Sequence, residues 1–337
     1  MKKAEYSNFI SQNIAPYGAK KIGVYNKNGK RVGGFELQNL RQPKLGTKLY
    51  SFGALSDVHI VYYTAVSDFQ KALTFLNDDI DVVFTCISGD LTDNGTVEQL
   101  AQYKAVVDEY SPDTPVYAIA GNHEATNGVV TNEQIEPYTG HPLYYSFEYE
   151  NDVFIMCGCY SWVNDGVFNK DYLQWIYETL EANRNKRCFI FEHVFPWGDS
   201  GNPKGLYSFD MFSGTKGSVF QSMLKHYKNT ILFHGHSHTK FYLQEDDEKA
   251  NYSEALGYRS VHIPSLAVPR DIVDGALSGI YADSEGYVVD VYQNHIVLRG
   301  RDFIKEKFLP IATYCLDTTL VEIEANTFVD ETGTITT

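Results

Sequence analysis

Short apolar runs alternate with polar loops and amphipathic segments along the middle of the chain. The runs LYSFGALS, DVVFTCIS and VYAIA each end in polar residues, and helical patterns follow near residues 67–78 and from Thr96 to about Tyr110. Thr96 and Gln99 have the spacing of a capping box, which favours a helix start at this point. The order strand, polar loop, helix, strand is typical of βαβ units, so we predict an α/β fold with parallel strands.

The same pattern returns in the second half of the chain. A hairpin-like pair, YYSFEYE and DVFIMCGCY, precedes a helical pattern near residues 170–184, and the runs CFIFE and TILFH again end in polar residues. Beyond residue 255 the chain is rich in β-prone residues, and Gln293-Asn294 is a predicted hairpin turn. Open α/β sheets bind their ligands at the carboxyl ends of strands, so these strand ends are the candidate site.

Both ends of the chain differ from this middle part. Residues 22–37 contain two β-prone runs around Asn28-Gly29, a dipeptide suited to the tight turn of a hairpin. The stretch RQPKLGTK that follows is typical of a connection between two units. We therefore predict an accessory N-terminal hairpin segment over residues 1–48, a main domain over residues 49–302 and a C-terminal extension over residues 303–337.

The charge of the chain is uneven and mostly acidic. The net charge is −15, but residues 1–50 hold ten Lys and Arg against two Asp and Glu, which leaves −23 for the remainder. A body this acidic repels phosphate backbones, so nucleic acid is not favoured as a partner. Divalent cations need oxygen ligands, so some of these carboxylates suit a metal site, while a solvated acidic surface accounts for most of them.

The hydropathy of the chain argues against a membrane protein. No stretch approaches 18 consecutive apolar residues, and the N-terminal lysines are not followed by the apolar segment of a secretory signal. The five cysteines form no CxxC pair, which fits buried, reduced thiols better than a disulfide framework. We therefore expect a cytoplasmic protein with no membrane partner, and leave open whether it forms a homo-oligomer.

Metal-competent side chains follow five separate strand ends. They are Asp57 and His59, Asp90, Asn122 and His123, His193, and His236 and His238. Carboxylate, amide oxygen and imidazole ligands without cysteine suit divalent ions such as Mn, Fe, Co or Zn. A single histidine at a strand end is usually structural, but half of the ten histidines lie in these clusters, which packing alone does not explain. The glycines before Asp90, Asn122 and His236 are expected to give the backbone conformational freedom.

The number of candidate ligands points to two ions rather than one. Seven ligands would crowd a single ion, whereas two ions that share a carboxylate use them naturally. Two-metal sites with ions about 3.5–4 Å apart hold the attacking and leaving oxygens of a phosphoryl displacement. The strand ends therefore predict phosphate ester chemistry.

These motifs resemble the signature of the calcineurin-like metallophosphoesterase superfamily. The series consists of DVH at 57–59, GDLTD at 89–93, GNHE at 121–124, His193 and GHSH at 235–238. Its motifs occur in the order of that signature and span about residues 50–240. The resemblance implies a four-layer α/β fold, in which a central β-sandwich is flanked by helices around a di-metal centre.

The resemblance also implies roles for individual residues. One ion would be bound by Asp57, His59 and His238 and the other by Asn122, His193 and His236, with Asp90 as the bridge. His123 would face the phosphate as a transition-state stabiliser or leaving-group acid, so His123 and Asp90 are the predicted catalytic residues. The cofactors would be two divalent transition-metal ions, Mn or Fe foremost and Zn or Co as alternatives, and a metal-bound water or hydroxide would be the nucleophile.

Residues within and beside the motifs indicate which branch of the superfamily the chain resembles most. Ile60 and Asn94 stand where protein Ser/Thr phosphatases have Gly and Arg, and Asp93 stands where purple acid phosphatases have a metal-bound Tyr. The stretch GDLTDNG is most similar to the cyclic-nucleotide-phosphodiesterase branch. Two positions depart from that branch, because Glu124 replaces its usual Asp and Glu192 stands where a second His is common.

Aromatic residues near two of the strand ends are candidate substrate contacts. Tyr160 and Trp162 follow the strand that ends at Cys159, and Trp197 follows His193. Loops on this side of an α/β scaffold face the ligand, so stacking on a base or sugar is one interpretation. Anchoring of the loops in the core is the other.

The leading hypothesis is a metal-dependent phosphoesterase that hydrolyses a small phosphodiester. A phosphomonoesterase or a nuclease on the same site is the alternative within this class. A non-catalytic binding or scaffold protein is the alternative from another class, because a fold does not guarantee an activity. That alternative predicts eroded ligands, whereas all seven ligand positions are intact.

Overall fold

The computed structural model describes residues 21–25, 31–36, 45–125, 130–161, 169–194, 214–241, 251–273, 276–280, 282–325 and 328. The strands in these residues are β1 (Lys21–Tyr25), β2 (Arg31–Glu36), β3 (Lys48–Leu55), β4 (Thr85–Ile87), β5 (Val116–Ala118), β6 (Tyr144–Tyr149), β7 (Asp152–Cys157), β8 (Cys188–Glu192), β9 (Thr230–His234), β10 (Tyr252–Ser253), β11 (Arg259–His262), β12 (Arg270–Val273), β13 (Ala276–Gly279), β14 (Glu285–Tyr292), β15 (His295–Asp302) and β16 (Lys307–Asp317). The helices are α1 (Ala65–Thr74), α2 (Val97–Tyr110), α3 (Asn132–Thr139), α4 (Lys170–Ala182) and α5 (Gly214–His226), and a π-helix over Phe75–Ile80 continues α1. Within the described residues, none of these helices has the length and apolar character needed to cross a membrane.

Two six-stranded mixed sheets form the body of the molecule. The first has the order β16-β15-β14-β3-β4-β5, in which β3, β4 and β5 are parallel and the other strands pair antiparallel. The second has the order β10-β11-β9-β8-β7-β6, in which β7, β8, β9 and β11 are parallel and the two edge strands join antiparallel. Parallel strands bring their carboxyl ends to one edge of each sheet, which is where the candidate ligands follow.

The two sheets pack face to face through aromatic side chains. Phe52 on β3 contacts Phe154 and Phe189 of the second sheet at ring-centroid distances of 5.3 and 5.4 Å, in the edge-to-face geometry that ring quadrupoles favour. Helices α1, α2 and α3 cover the outer face of the first sheet, and α4 and α5 cover that of the second. The predicted α/β fold, a sandwich flanked by helices, is confirmed.

Helix α2 begins at the predicted capping residue, but only one of the two hydrogen bonds of a capping box is formed. Thr96 caps the helix, since its hydroxyl accepts a hydrogen bond from the Gln99 N–H at 3.3 Å. The Gln99 side chain does not return to Thr96, because its Oε1 accepts from the Asn94 N–H at 2.8 Å. The cap therefore also fixes the loop that carries the GDLTD motif.

The two ends of the chain also contribute strands. β1 and β2 pair antiparallel as the sequence predicts, and the turn at Asn28-Gly29 lies outside the described residues. β16 lies within the segment 303–337 and pairs with β15 in the first sheet. Leu309 and Leu316 of β16 are buried in the core between the sheets, so this part of the segment is continuous with the main sheet.

Candidate metal centre

Five parallel strands deliver the candidate ligands to one region where the two sheets meet. They come from the loops after β3 (Asp57, His59), β4 (Asp90), β5 (Asn122, His123), β8 (His193) and β9 (His236, His238). The Asp57 N–H donates to the Gly89 carbonyl at 3.1 Å, and the Ser88 hydroxyl donates to the Glu192 carbonyl of the second sheet at 2.8 Å. These hydrogen bonds fix the positions of the loops of the two sheets relative to one another.

The backbone at the ligands is strained. Positive φ angles occur at Asp57 (53°), His59 (44°), Asp90 (49°), His236 (68°) and His238 (58°). Non-glycine residues rarely adopt this region, and each instance costs about 1–3 kcal/mol. Because five of the seven candidate ligands share the strain, the fold maintains it where side chains must converge.

The glycines beside the ligands matter more because they lack a side chain than because their backbone is free to adopt unusual conformations. Gly89 has a φ of +85°, so the expected conformational role is correct there. Gly121 and Gly235 show no positive φ, but a Cβ at Gly121 would lie 2.2 Å from Asp90 Oδ1, and one at Gly235 would lie 2.4 Å from Asp57 Oδ2. These two glycines leave room for the carboxylates.

A first group of ligand atoms consists of Asp57, His59, Asp90 and His238, which lie within 4.8 Å of one another. His238 Nε2 lies 2.9 Å from Asp57 Oδ1 and 3.1 Å from His59 Nε2. Asp57 Oδ1 is buried and accepts no hydrogen bond. A buried carboxylate oxygen without a donor is costly unless a cation lies beside it, so this group fits a metal ion.

A second group consists of Asp90, His193 and His236, and Asn122 joins it. The Nδ1–H of His193 donates to the Ser88 carbonyl at 2.6 Å, so its Nε2 faces Asp90 Oδ2 and Asn122 Oδ1, both 3.0 Å away. His236 Nδ1 lies 2.7 Å from the same Asn122 oxygen. A proton or a cation must separate these acceptor atoms, so the donor set fits a second ion.

Asp90 belongs to both groups and is buried. Its Oδ2 lies 3.0 Å from His193 Nε2 and 3.7 Å from His59 Nε2, while its Oδ1 accepts from the His123 N–H at 2.9 Å. One carboxylate oxygen thus faces both groups, as a bridging ligand would. The described residues form a candidate binuclear site, and the individual ligand roles stay predictions.

The carboxylates of the cluster favour positive charge at His193 and His59, whereas burial lowers the pKa of His236 to about 3. Burial alone would lower the pKa of His193, but the carboxylates of Asp90 and Asp57 outweigh it and raise that pKa to about 9. Burial would also lower the pKa of His59, but the nearby carboxylates of Asp57, Asp93 and Asp90 outweigh it and raise that pKa to about 10. In the metal-free cluster, protons therefore occupy positions that bound cations would take, and metal binding would release them.

His123 lines the pocket at the edge of the cluster. Its Nδ1–H donates to the Asp93 carbonyl at 2.5 Å, and its Nε2 lies 3.9 Å from Asp90 Oδ2. About a third of the side chain is exposed (34%), unlike the buried His59, His193 and His238. The ring is fixed at one nitrogen and accessible at the other, which is the arrangement that a proton donor to a substrate needs.

Glu124 ties the two central motifs together. Its Oε1 accepts from the N–H and the hydroxyl of Thr92 at 2.8 and 2.6 Å, and its Oε2 accepts from the Gly121 N–H at 2.8 Å. The carboxylate therefore satisfies three donors from the GDLTD and GNHE loops. Glu124 thus connects the loop that contains Asp90 with the loop that contains Asn122.

A pocket of about 290 Å³ opens over the cluster. Its lining consists of His59, Tyr62, Asp90, Asp93, His123, His236, His238, Val268 and Arg270. Tyr62, Val268 and Arg270 were not found from the sequence. Tyr62 lies three residues after the DVH motif and could have been found by that proximity, whereas the positions of Val268 and Arg270 depend on long-range contacts.

Of the three aromatic residues predicted as substrate contacts, Tyr160 belongs to the described part of the chain, and it is not among the described residues that line this pocket. Tyr160 is half-buried and packs against the apolar clusters beneath the helices. Trp162 and Trp197 lie outside the described residues. Their predicted roles stay predictions.

Comparison with solved structures shows the fold at low sequence identity. A purple acid phosphatase from yellow lupin (Lupinus luteus) seeds aligns with a TM-score of 0.53 at 13% identity, over 91% of this chain and 62% of that chain. The chain thus spans less than two thirds of the lupin protein. GAP50, described as the anchor in the inner membrane complex of Plasmodium, aligns with a TM-score of 0.54 at 13% identity, over 82% of this chain and 91% of that chain.

Comparison of the sequence itself identifies the family. No curated protein sequence matches the chain. A family profile described as calcineurin-like phosphoesterase matches residues 50–240, the segment that contains every candidate ligand. The chain therefore belongs to the calcineurin-like phosphoesterase family.

Proposed function

We propose that the protein hydrolyses a small phosphodiester at a two-metal centre. The observation that carries the proposal is the buried Asp90 carboxylate, whose Oδ2 faces His59 on one side and His193 on the other. A shared oxygen of this kind suits two cations about 3.5–4 Å apart, the separation that phosphoryl displacement uses. With oxygen and imidazole ligands only, Mn and Fe are the first ions to test, followed by Zn and Co.

Bound divalent ions would supply the charge that activates water and stabilises the phosphoryl oxygens. Side chains of the protein would bind the ions and donate the proton. Asp57, Asp90 and the ligand histidines would hold the ions, and most of these side chains are buried. The accessible Nε2 of His123 can hold a proton and give it to the departing oxygen, because Nδ1 is fixed on the Asp93 carbonyl.

The charge of the pocket supports a diester over a monoester. Apart from the candidate ligands and His123, the charged residues in the lining are Arg270 and Asp93. Their formal charges cancel, so the described lining has no surplus positive charge for the additional anionic oxygen of a monoester dianion. The volume of about 290 Å³ lies at the lower end of ligand pockets and supports a small substrate.

Two further features bear on the substrate class. The GDLTDNG stretch, which resembles the cyclic-nucleotide-phosphodiesterase branch, makes cyclic nucleotides the first natural diesters to test. The acidic body, at −23 outside residues 1–50, disfavours a nuclease. GAP50 has this fold and is described as an anchor, so a scaffold role is the alternative from another class, although the complete ligand set supports an enzyme.

The test is hydrolysis by metal-free protein after addition of Mn, Fe, Co, Zn or Mg. Bis-p-nitrophenyl phosphate and p-nitrophenyl phosphate share a leaving group, so they compare a diester with a monoester directly. We expect metal-dependent hydrolysis with a preference for the diester, and loss of it in Asp90→Asn, which excludes a contaminating phosphatase. A preference for the monoester would reassign the substrate class, and absence of hydrolysis of both esters with every ion would favour the scaffold alternative.

A further inference from the structure

Three consecutive residues, Val61, Tyr62 and Tyr63, form an exposed edge beside the pocket, here called the aromatic rim. Tyr62 lines the pocket, while Val61 is 45% and Tyr63 is 73% exposed. Most large apolar side chains in the described part of the chain are buried. Neighbouring exposed apolar side chains at the mouth of a pocket mark a surface for contact with a ligand.

The fold holds the rim in a strained conformation. Val61 has a φ of 74° and Tyr63 a φ of 43°. A β-branched residue in this region is a true outlier, and such strain persists only where surrounding structure imposes it. Hydrogen bonds from the Tyr62 N–H to the His59 carbonyl (2.9 Å) and from the Ala65 N–H to the Tyr62 carbonyl (2.8 Å) impose it here. These backbone hydrogen bonds therefore fix the position of the rim.

The rings of the rim lie close to the candidate metal centre. The Tyr62 and Tyr63 rings are 4.7 Å apart at an interplanar angle of 77°, an edge-to-face pair that restrains both. The Tyr62 ring centroid lies 6.4 Å from that of His59, a candidate ligand. A group esterified to a phosphate at the metal centre would therefore be within reach of Tyr62.

We propose that the aromatic rim stacks against a planar group of the substrate, so that the protein prefers aryl or nucleoside phosphodiesters to alkyl ones. The inference rests on the proposed function and names its substrate class. Stacking on Tyr depends on a flat π surface and not on a hydrogen-bond pattern, so the preference is for planarity rather than for one base. Apolar contact from Val268 in the same pocket lining favours the same kind of group.

The experiment measures binding instead of turnover. Phenylphosphonate and methylphosphonate share a phosphonate group, contain no hydrolysable ester and differ in the planar ring. Their dissociation constants are measured by calorimetry on manganese-loaded protein, for the wild type and for Tyr62→Ala, Tyr62→Phe and Tyr63→Ala. Val97→Ala is the control, because Val97 is also an exposed apolar residue (60%) but does not line the pocket.

The wild type should bind phenylphosphonate about 5- to 100-fold more tightly than methylphosphonate, the range expected for one stacked ring. Tyr62→Ala should bring this ratio close to one, Tyr63→Ala should reduce it, and Tyr62→Phe and Val97→Ala should preserve it with unchanged metal content. Equal binding of the two phosphonates by the wild type overturns the inference and leaves the proposed function intact. A Tyr62→Phe variant that behaves like Tyr62→Ala also overturns it, because the hydroxyl and not the ring would then be responsible. If neither phosphonate binds, the inference is overturned, and the hydrolysis of the two nitrophenyl esters decides the proposed function independently.

Discussion

Two clusters of buried acidic side chains occur in the described residues, and they are neutralised in different ways. One is the candidate metal centre around Asp57 and Asp90. The other, here called the lysine-paired cluster, consists of Asp283, Glu285 and Asp302. In both, carboxylate oxygens approach closely enough to hold an ion, so a count of carboxylates alone does not distinguish them.

Lysine side chains and backbone N–H groups already pair with carboxylate oxygens of the lysine-paired cluster. Lys240 Nζ lies 2.6 Å from Asp283 Oδ2, and Lys305 pairs with Asp283 Oδ1 and lies 3.4 Å from Asp302 Oδ2. The backbone N–H groups of Ile304 and Lys305 donate to Asp302 Oδ1 at 3.1 and 2.9 Å. The negative charge is thus compensated by the chain itself.

In the metal centre, the partners of the carboxylates are other ligands. Asp57 Oδ1 is buried without a hydrogen bond, and the histidine nitrogens nearby are themselves competent to bind metal. The comparison shows that unsatisfied acceptors facing one another, rather than acidic residues as such, indicate a cation site. The predictions below separate the two clusters on this basis, in order of decreasing effect.

The largest effect is expected for Asp90→Asn. The amide keeps the shape of the side chain but removes the charge that faces both ligand groups, so both ions should be lost together. Hydrolysis should then fall by more than about 100-fold, the upper range for loss of a supporting residue around a metal. Elemental analysis of metal per chain and steady-state kinetics check this.

The control is the same change in the lysine-paired cluster. Asp302→Asn keeps an oxygen for the N–H groups of Ile304 and Lys305, and it should leave metal content and activity unchanged. If Asp302→Asn also lost metal, or Asp90→Asn retained two ions, the distinction between the clusters would be wrong.

His123→Ala tests the pocket side of the metal centre. Since His123 is not one of the seven predicted ligands and lines the pocket with about a third of its side chain exposed, both ions should remain, while the catalytic rate should fall roughly 10²–10⁴-fold. If the ring protonates the leaving group, the loss should be smaller for esters of p-nitrophenol than for alkyl esters. An equal loss for all esters would leave only an electrostatic role, and loss of metal would show that His123 is structural.

Whether a residue of this site can be predicted from the sequence depends on whether local or long-range interactions determine its position. Asp57, Asp90 and the ligand histidines follow strand ends directly, so a local pattern sufficed to predict that they converge. The position of Arg270 depends on a bridge to Thr239 and on a hydrogen bond from its N–H to the His238 carbonyl, contacts between distant segments. Local propensity contains no information about such contacts.

The same distinction applies to the fold. The βαβ rhythm predicted the parallel strands and the helices, because apolar periodicity is local. The pairing of β16 with β15 in the first sheet was not predicted, since it depends on residues such as Leu309 finding a shared core. The steric role of Gly121 and Gly235 was also missed, because sequence shows a missing Cβ but not the carboxylate that takes its place.

Lys240→Met is expected to affect stability and not metal content. It removes one of the two lysine partners of the buried Asp283 and leaves Lys305, so the cost should approach but not exceed about 3–5 kcal/mol, the cost of breaking a buried pair on one side. Lys104→Met is the matched control, because Lys104 pairs with Asp108 on the exposed surface of α2, where such pairs contribute about 0.3–0.5 kcal/mol. Denaturant unfolding measures both. Equal costs for the two variants would mean that the lysine-paired cluster is hydrated and not a compensated buried unit.

Glu285 should give the stability a pH dependence. Burial raises the pKa of this carboxyl to about 8, because the Phe241 N–H and Lys240 compensate only in part. Between about pH 4.5 and 8 the folded protein therefore holds a proton that the unfolded chain releases, so this group lowers stability as the pH rises through that window. Glu285→Gln keeps an oxygen for the Phe241 N–H and removes the ionisation. The variant should match the wild type near pH 5 and exceed its stability near pH 8, whereas the exposed Glu322→Gln should follow the wild type throughout. Because the two proteins are compared at each pH, the effect of protons on metal binding cancels, and a difference that did not grow with pH would show that Glu285 ionises as freely as a surface carboxylate.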